Sequence, residues 1–193
     1  MLAVEGLGVR FGPRWIFRGL EFHLGAGESL AVLGPNGSGK STLLKALAGL
    51  LRPTEGRIEP SGEDSRHRIG LSALDLAVYP HLSPKEHLRF SADLRGCPGR
   101  VDELLSQVGL AEAADRPSAK LSTGMRSRLK LAMAIQHRPP ILLLDEPGAS
   151  LDESGRSLLA DIVAEQLERG CLVLATNEPA ERRFATHELR VGA

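Results

Sequence analysis

Gly34, Gly39, Lys40 and Ser41 stand in the order G-x-x-x-x-G-K-[ST] within GPNGSGKST, residues 34–42. That pattern holds phosphate. Glycines let the backbone curl until successive N–H groups point inward, and a helix opening at about Lys40 adds the positive end of its dipole. Pro35, Asn36, Gly37 and Ser38 fill out the loop, and Thr42 follows it into the helix. Lys40 would reach the outer phosphates of a nucleotide, while the Ser41 hydroxyl would take one position on Mg²⁺. Far along the chain, Asp145 and Glu146 end the apolar run of ILLLDEP, residues 141–147. A carboxylate at a strand tip can bind Mg²⁺ directly or through water, and a second one residue on can act as general base toward an attacking water. Together these groups suit hydrolysis of a nucleoside triphosphate.

The elements that must position them follow from the pattern of apolar residues. Residues 30–33, LAVL, read as a buried strand feeding the loop, and Leu43, Leu44, Leu47 and Leu50 recur at helical spacing after it until Arg52-Pro53. Asp152 fits the N-cap of a helix with Leu158, Leu159, Ile162, Val163 and Leu167 on one side, ended by Gly170. A last core strand, Cys171 to Ala175, precedes Thr176-Asn177-Glu178. Strand, helix, strand in that order implies parallel pairing, with ligands bound beyond the strand carboxyl ends. Residues 2–24 read as two antiparallel strands broken at Gly12-Pro13, and segments 57–59 and 68–71 as a short hairpin around a polar turn, 61–66. Ser83-Pro84-Lys85-Glu86 is a capping box with proline at the first helical position, opening a helix to about Leu94; another runs from about Val101 to Val108. No strand intervenes before about His137, so a helical lobe is inserted into the core. The predicted fold is α/β: a P-loop NTPase core with a mixed, mainly parallel sheet, N-terminal antiparallel strands and the inserted lobe. It is one domain, with core 1–74 and 138–193 and lobe 75–137.

Composition narrows the setting. A chain of 193 residues with 24 basic and 24 acidic side chains has no net charge, which disfavours broad nucleic-acid binding. Cys97 and Cys171 read as reduced thiols of a cytosolic protein, Cys171 in the core. Nothing resembles a signal peptide and no run approaches 18 apolar residues, so a membrane role would come through a partner. His81, His87 and His137 lack zinc-ligand spacing. Arg126, Arg128 and Lys130 read as a solvated helix face, and Arg182-Arg183 as part of a surface helix paired locally with Glu178 and Glu181. Aromatic residues are only 4% of the chain, so Phe11 and Trp15 draw notice as platforms for a base, worth about 1 to 3 kcal/mol of stacking. Core packing is the competing reading for both, and the preferred one for Trp15.

At residues 121–135, LSTGMRSRLKLAMAI, the chain resembles the signature motif of ATP-binding cassette ATPases, usually written L-S-G-G-Q, with Thr123 and Met125 in place of a glycine and a glutamine. The resemblance extends over nearly the whole chain. It implies ATP and Mg²⁺ as ligands, and a second ATPase subunit, as a homodimer, paired head to tail. In that pairing Ser122 and Gly124 of one copy touch the γ-phosphate held by Gly37, Lys40 and Ser41 of the other. It further implies that Ala149-Ser150-Leu151-Asp152 crosses the dimer interface and that Phe11 stacks on adenine. A separate integral membrane transport subunit would make the chain the motor of a transporter, peripheral on the cytoplasmic face. Two positions depart from the pattern. Leu74 aligns with a glutamine that holds Mg²⁺ and water, with Asp75 or Ser72 as partial substitutes, and Asn177 stands where the family has a switch histidine. Small size, the S-x-G-M signature, the segment 84–90 and the asparagine are most similar to the compact haem-exporter-type group of cytochrome c maturation. The alternatives are a soluble cassette ATPase acting on nucleic acid or the ribosome, and an ATP-sensing dimer with weak hydrolysis.

Overall fold

A computed structural model describes residues 1–60 and 67–192. Its centre is a five-stranded, wholly parallel sheet in the order β5-β6-β7-β3-β8, with β3 Ser29–Leu33, β5 Ile69–Ser72, β6 Ile141–Asp145, β7 Cys171–Ala175 and β8 His187–Arg190. Every residue of β3, β6 and β7 is buried, as central strands covered on both faces must be. Alternate residues serve opposite faces. Leu30, Val32, Leu143 and Val173 join one core, and Ala31, Leu33, Leu144 and Leu174 join another.

The first core lies between this sheet, helix α1 (Lys40–Leu47) and a separate antiparallel sheet ordered β2-β1-β4, formed by β1 Leu2–Phe11, β2 Arg14–Leu24 and β4 Glu55–Glu59. The two expected N-terminal strands therefore pair as read, around a turn at Gly12-Pro13. The expected hairpin of 57–59 with 68–71 does not form. Strand β4 pairs antiparallel with β1, and β5 pairs parallel with β6 in the other sheet. Ile69 and Leu71 are apolar enough for a place beside β6, and that burial outweighs local closure; the expected polar turn 61–66 lies outside the described residues.

The second core joins the other sheet face to helix α5 (Glu153–Arg169) and to the helices between β5 and β6: α2 (Pro84–Arg95), α3 (Val101–Gln107) and α4 (Thr123–Ile135). The capping box is complete: Glu86 N–H donates to Ser83 Oγ at 3.3 Å and Ser83 N–H to the Glu86 carboxylate at 2.8 Å. That carboxylate sits below the usual glutamate range because the Ser83 backbone N–H stabilises its charge. His87 is buried and satisfied, accepting from Tyr79 N–H at 2.8 Å and lying 2.9 Å from the Ser83 carbonyl. Leu88, Leu104, Leu129 and Ile135 pack in the same cluster as Leu142 and Leu172, so the inserted helices share the core of the sheet. Cys171 is a core residue as expected, buried in the first core, and burial raises its thiol to about 11.

Candidate active site

The loop from Gly34 to Gly39 links β3 to α1 and is tight enough to exclude side chains where it matters. A Cβ on Gly34 would lie 2.4 Å from the Val191 carbonyl, and one on Gly39 2.4 Å from Ile16 Cγ2, with Gly39 also at φ 104°. Gly39 caps α1 without any side-chain acceptor, which leaves the first-turn N–H groups directed at the loop mouth. A cleft of about 300 Å³ opens there, lined by Asn36, Gly37, Gly39, Lys40, Ser41 and Thr42 of the loop and helix, by Ile16 of β2, and by Glu146. Pro35 receives a backbone hydrogen bond from Ser38 at 3.1 Å, and the Ser38 hydroxyl is buried with no partner among the described residues.

Lys40 is 5% exposed and bridges several groups. Its Nζ donates to the Gly34 carbonyl at 2.8 Å and lies 3.4 Å from Asn177 Oδ1 and 4.0 Å from Glu146 Oε1. The Asn177 amide reaches Asn36 Oδ1 at 2.9 Å. Turned over in its plane, it would donate to Gly34 O at 2.6 Å and accept from Lys40 at 3.1 Å, satisfying both ends. Asp145 is buried at the end of β6. Glu146 follows at φ 47°, a left-handed conformation rare for a glutamate, held by its N–H on the Ala175 carbonyl at 2.8 Å and by Ala149 N–H on its own carbonyl at 3.2 Å.

Other expected residues lie elsewhere. Ser122 is the N-cap of α4, its Oγ accepting from Met125 N–H at 3.2 Å, and Gly124 runs so close to the Ser150 carbonyl that a Cβ would sit 3.1 Å from it. Neither Ser122 nor Gly124 lines the phosphate cleft of its own chain. Asp152 caps α5 through Gly155 N–H at 2.8 Å and pairs with Arg128 at 2.6 Å, and these two contacts hold its carboxylate below the usual range. Phe11 ends β1, exposed, opposite Arg14, and is not among the cleft's lining. Trp15 is not a core residue: it lies half-buried on β2 between the guanidiniums of Arg10 and Arg18, 5.4 and 4.7 Å from its ring centre.

Of the α4 residues expected to be solvated, Arg126 is exposed, whereas Arg128 also donates to Ser154 Oγ at 2.7 Å and Lys130 donates to the Leu74 and Ala73 carbonyls at 2.5 and 3.2 Å. Leu74 itself is exposed, Ser72 is buried, and Asp75 is engaged by Lys45 of α1. Arg182 pairs with Glu188, not with its helix neighbours, and Glu181 is buried. Ile16 comes from β2, remote in sequence from the loop, whereas Arg128 and Glu181 stand four residues beyond Gly124 and Asn177 and read only as charged surface residues, with no local signal that marks them for the site.

The parallel sheet, the glycine loop with Lys40, and the paired carboxylates beyond β6 define a P-loop nucleoside triphosphatase. The model of the ABC transporter family matches residues 17–149. The chain belongs to that family and is an ATP-binding, ATP-hydrolysing subunit. It is 39% identical to the cytochrome c biogenesis ATP-binding export protein CcmA of Rhodopseudomonas palustris (strain HaA2), covering 100% of this chain and 99% of that one. Its fold matches the solved ATP-binding subunit of an ABC transporter with a TM-score of 0.89 at 27% identity, covering 100% of this chain and 88% of that one. It also matches a dimeric ATP-binding cassette in a post-hydrolysis state bound to ADP and Pi, with a TM-score of 0.88 at 22% identity over 99% and 94% of the two chains. Among the described residues no helix is long and apolar enough to cross a membrane.

Proposed function

We propose that this chain is the motor subunit of an export complex of the CcmA kind: two copies pair head to tail over ATP and drive a separate integral membrane subunit from its cytoplasmic face. The core comprises 1–74 and 138–193, and the lobe 75–137 carries the signature and faces the membrane partner. One observation carries the pairing. Ser122 and Gly124 stand at the start of α4, where the helix dipole favours an anion, yet neither lines the cleft of its own chain, so their phosphate is held by another copy. The similarity to CcmA supports the export assignment.

Within each site the loop N–H groups of Gly37, Ser38, Gly39 and Lys40 cradle the phosphates, Lys40 contacts the outer ones, and Phe11 with Ile16 flanks the base. The donor set for Mg²⁺ is the Ser41 hydroxyl and the Asp145 carboxylate, all-oxygen and incomplete without phosphate ligands. Mg²⁺ supplies charge neutralisation at the phosphates. Glu146 orients a water and takes its proton as the water oxygen bonds to the γ-phosphorus; the bond from that phosphorus to the β–γ bridging oxygen breaks, and ADP and phosphate leave. Asn177 donates a hydrogen bond but carries no proton at neutral pH, so turnover is slow for this family.

The test is Glu146→Gln. With ATP and Mg²⁺ this variant binds without hydrolysing and shifts from monomer to dimer mass by light scattering. A variant that hydrolyses normally, or that stays monomeric with nucleotide bound, would sink the reading.

A further inference from the structure

Two segments leave the sheet side by side at its carboxyl end, the turn after β6 that carries Glu146 and the segment after β7 that carries Asn177. Between them lies a second cleft of about 220 Å³, lined by Glu146, Ala149, Asn177 and Glu181 among others. Glu181 stands at its back, 6% exposed. Its Oε1 accepts from Gly148 N–H at 2.9 Å, and its Oε2 has no hydrogen-bond partner among the described residues. The fit is close, since a Cβ on Gly148 would lie 2.2 Å from that Oε1.

Burying a carboxyl is costly, and burial pushes its pKa up against the opposing hydrogen bonds from Thr176 and the Gly148 N–H, with Glu178 and Glu146 adding negative charge that raises it further. The contact it makes is in a telling place. The turn 146–149 already holds Glu146 in a left-handed conformation through Ala175 and Ala149. Glu181 holds the same turn at Gly148, and it does so from the segment that carries Asn177, so one side chain joins the turn after β6 to the segment after β7.

We propose that Glu181 is a positioning residue for hydrolysis, locking the turn after β6 to the segment after β7 so that Glu146 and Asn177 face one γ-phosphate together. This rests on the role given above to Glu146. Misplacement by about an ångström costs on the order of 100-fold in rate, so the effect falls on kcat and not on nucleotide binding.

The test is steady-state ATP hydrolysis by the whole chain. Glu181→Ala lowers kcat roughly 10- to 100-fold with KM for ATP and binding of a fluorescent ATP analogue little changed. Glu181→Gln, which keeps an acceptor for Gly148 N–H, retains most of the parent kcat. Gly148→Ala pushes the carboxyl aside with the side chain intact and reproduces the Glu181→Ala loss, and the double variant is no worse than either single one. An Ala variant with unimpaired kcat, or a Gln variant as impaired as Ala, overturns the proposal. Glu146→Gln run in parallel separates the two levels: if it turns over normally, the underlying role of Glu146 fails, whereas its inactivity beside an active Glu181→Ala defeats this proposal alone.

Discussion

Asn177 shows how one side chain sets a rate without altering a fold. Its amide lies within 3.4 Å of Lys40 and 2.9 Å of Asn36, so a ring of similar reach at this position would meet the same phosphate. Imidazole adds a proton that an amide cannot carry near neutral pH. Asn177→His is therefore expected to raise kcat about 10- to 100-fold, the range of general acid-base help, in a steady-state phosphate-release assay. No rise would assign the slow step elsewhere. Gly39 is the opposite case, where only shape matters. Gly39→Ala meets Ile16 at 2.4 Å in a backbone conformation unfavourable to alanine, and loss of ATP binding by titration calorimetry is the expected result.

At the scale of elements, α2 depends on its start. Ser83→Ala removes an acceptor for Glu86 N–H and half of the capping box, which costs about 1 kcal/mol in thermal or urea unfolding. A larger loss would mean that α2 also positions the segment before it through His87 and Tyr79. The join between α4 and β6 carries a second dependence. Burial and then the nearby Arg95 charge push the His137 imidazole from 6.5 down to about 4. Between those values the unfolded chain binds a proton that the folded chain refuses, so stability is full above about pH 6.5 and declines as pH falls toward 4. Comparing unfolding midpoints at neutral and mildly acidic pH should show this decline, and His137→Gln should flatten it. These element-level contacts were legible in part: a capping box is four consecutive residues, whereas the burial of His137 depends on what packs over it.

For the whole molecule, head-to-tail pairing makes a prediction that no single chain can. Each site takes Lys40 from one copy and Ser122 from the other. Lys40→Ala and Ser122→Arg are each expected to abolish hydrolysis alone. Mixed in equal amounts they should regain roughly a quarter of the parent rate, since half the dimers are mixed and each of those has one undamaged site. No recovery on mixing would argue for a site complete within one chain. The link between Arg128 and Asp152 at 2.6 Å joins the signature helix to the helix after the carboxylate strand within each copy.

What the sequence determined by itself was whatever chemistry is written in consecutive residues. The glycine loop with Lys40 and Ser41, the apolar run ending in Asp145 and Glu146, and the capped starts at Ser83, Ser122 and Asp152 are local: their geometry follows from backbone preferences within one turn or one strand. Strand pairing was decided only by the tertiary structure. Segments 55–59 and 69–72 are near in sequence, yet they part into different sheets because β1 and β6 bury them better than they bury each other. The same holds for the polar residues that tie the site together. Lys130, Arg128 and Glu181 are charged and read as surface, and nothing in their immediate neighbours says otherwise. Only the folded chain brings their partners within reach, the Ala73 and Leu74 carbonyls for Lys130, the Asp152 carboxylate and Ser154 hydroxyl for Arg128, and the Gly148 N–H for Glu181, and a buried polar group left unpaired would cost more than the ordering of the chain that satisfies it.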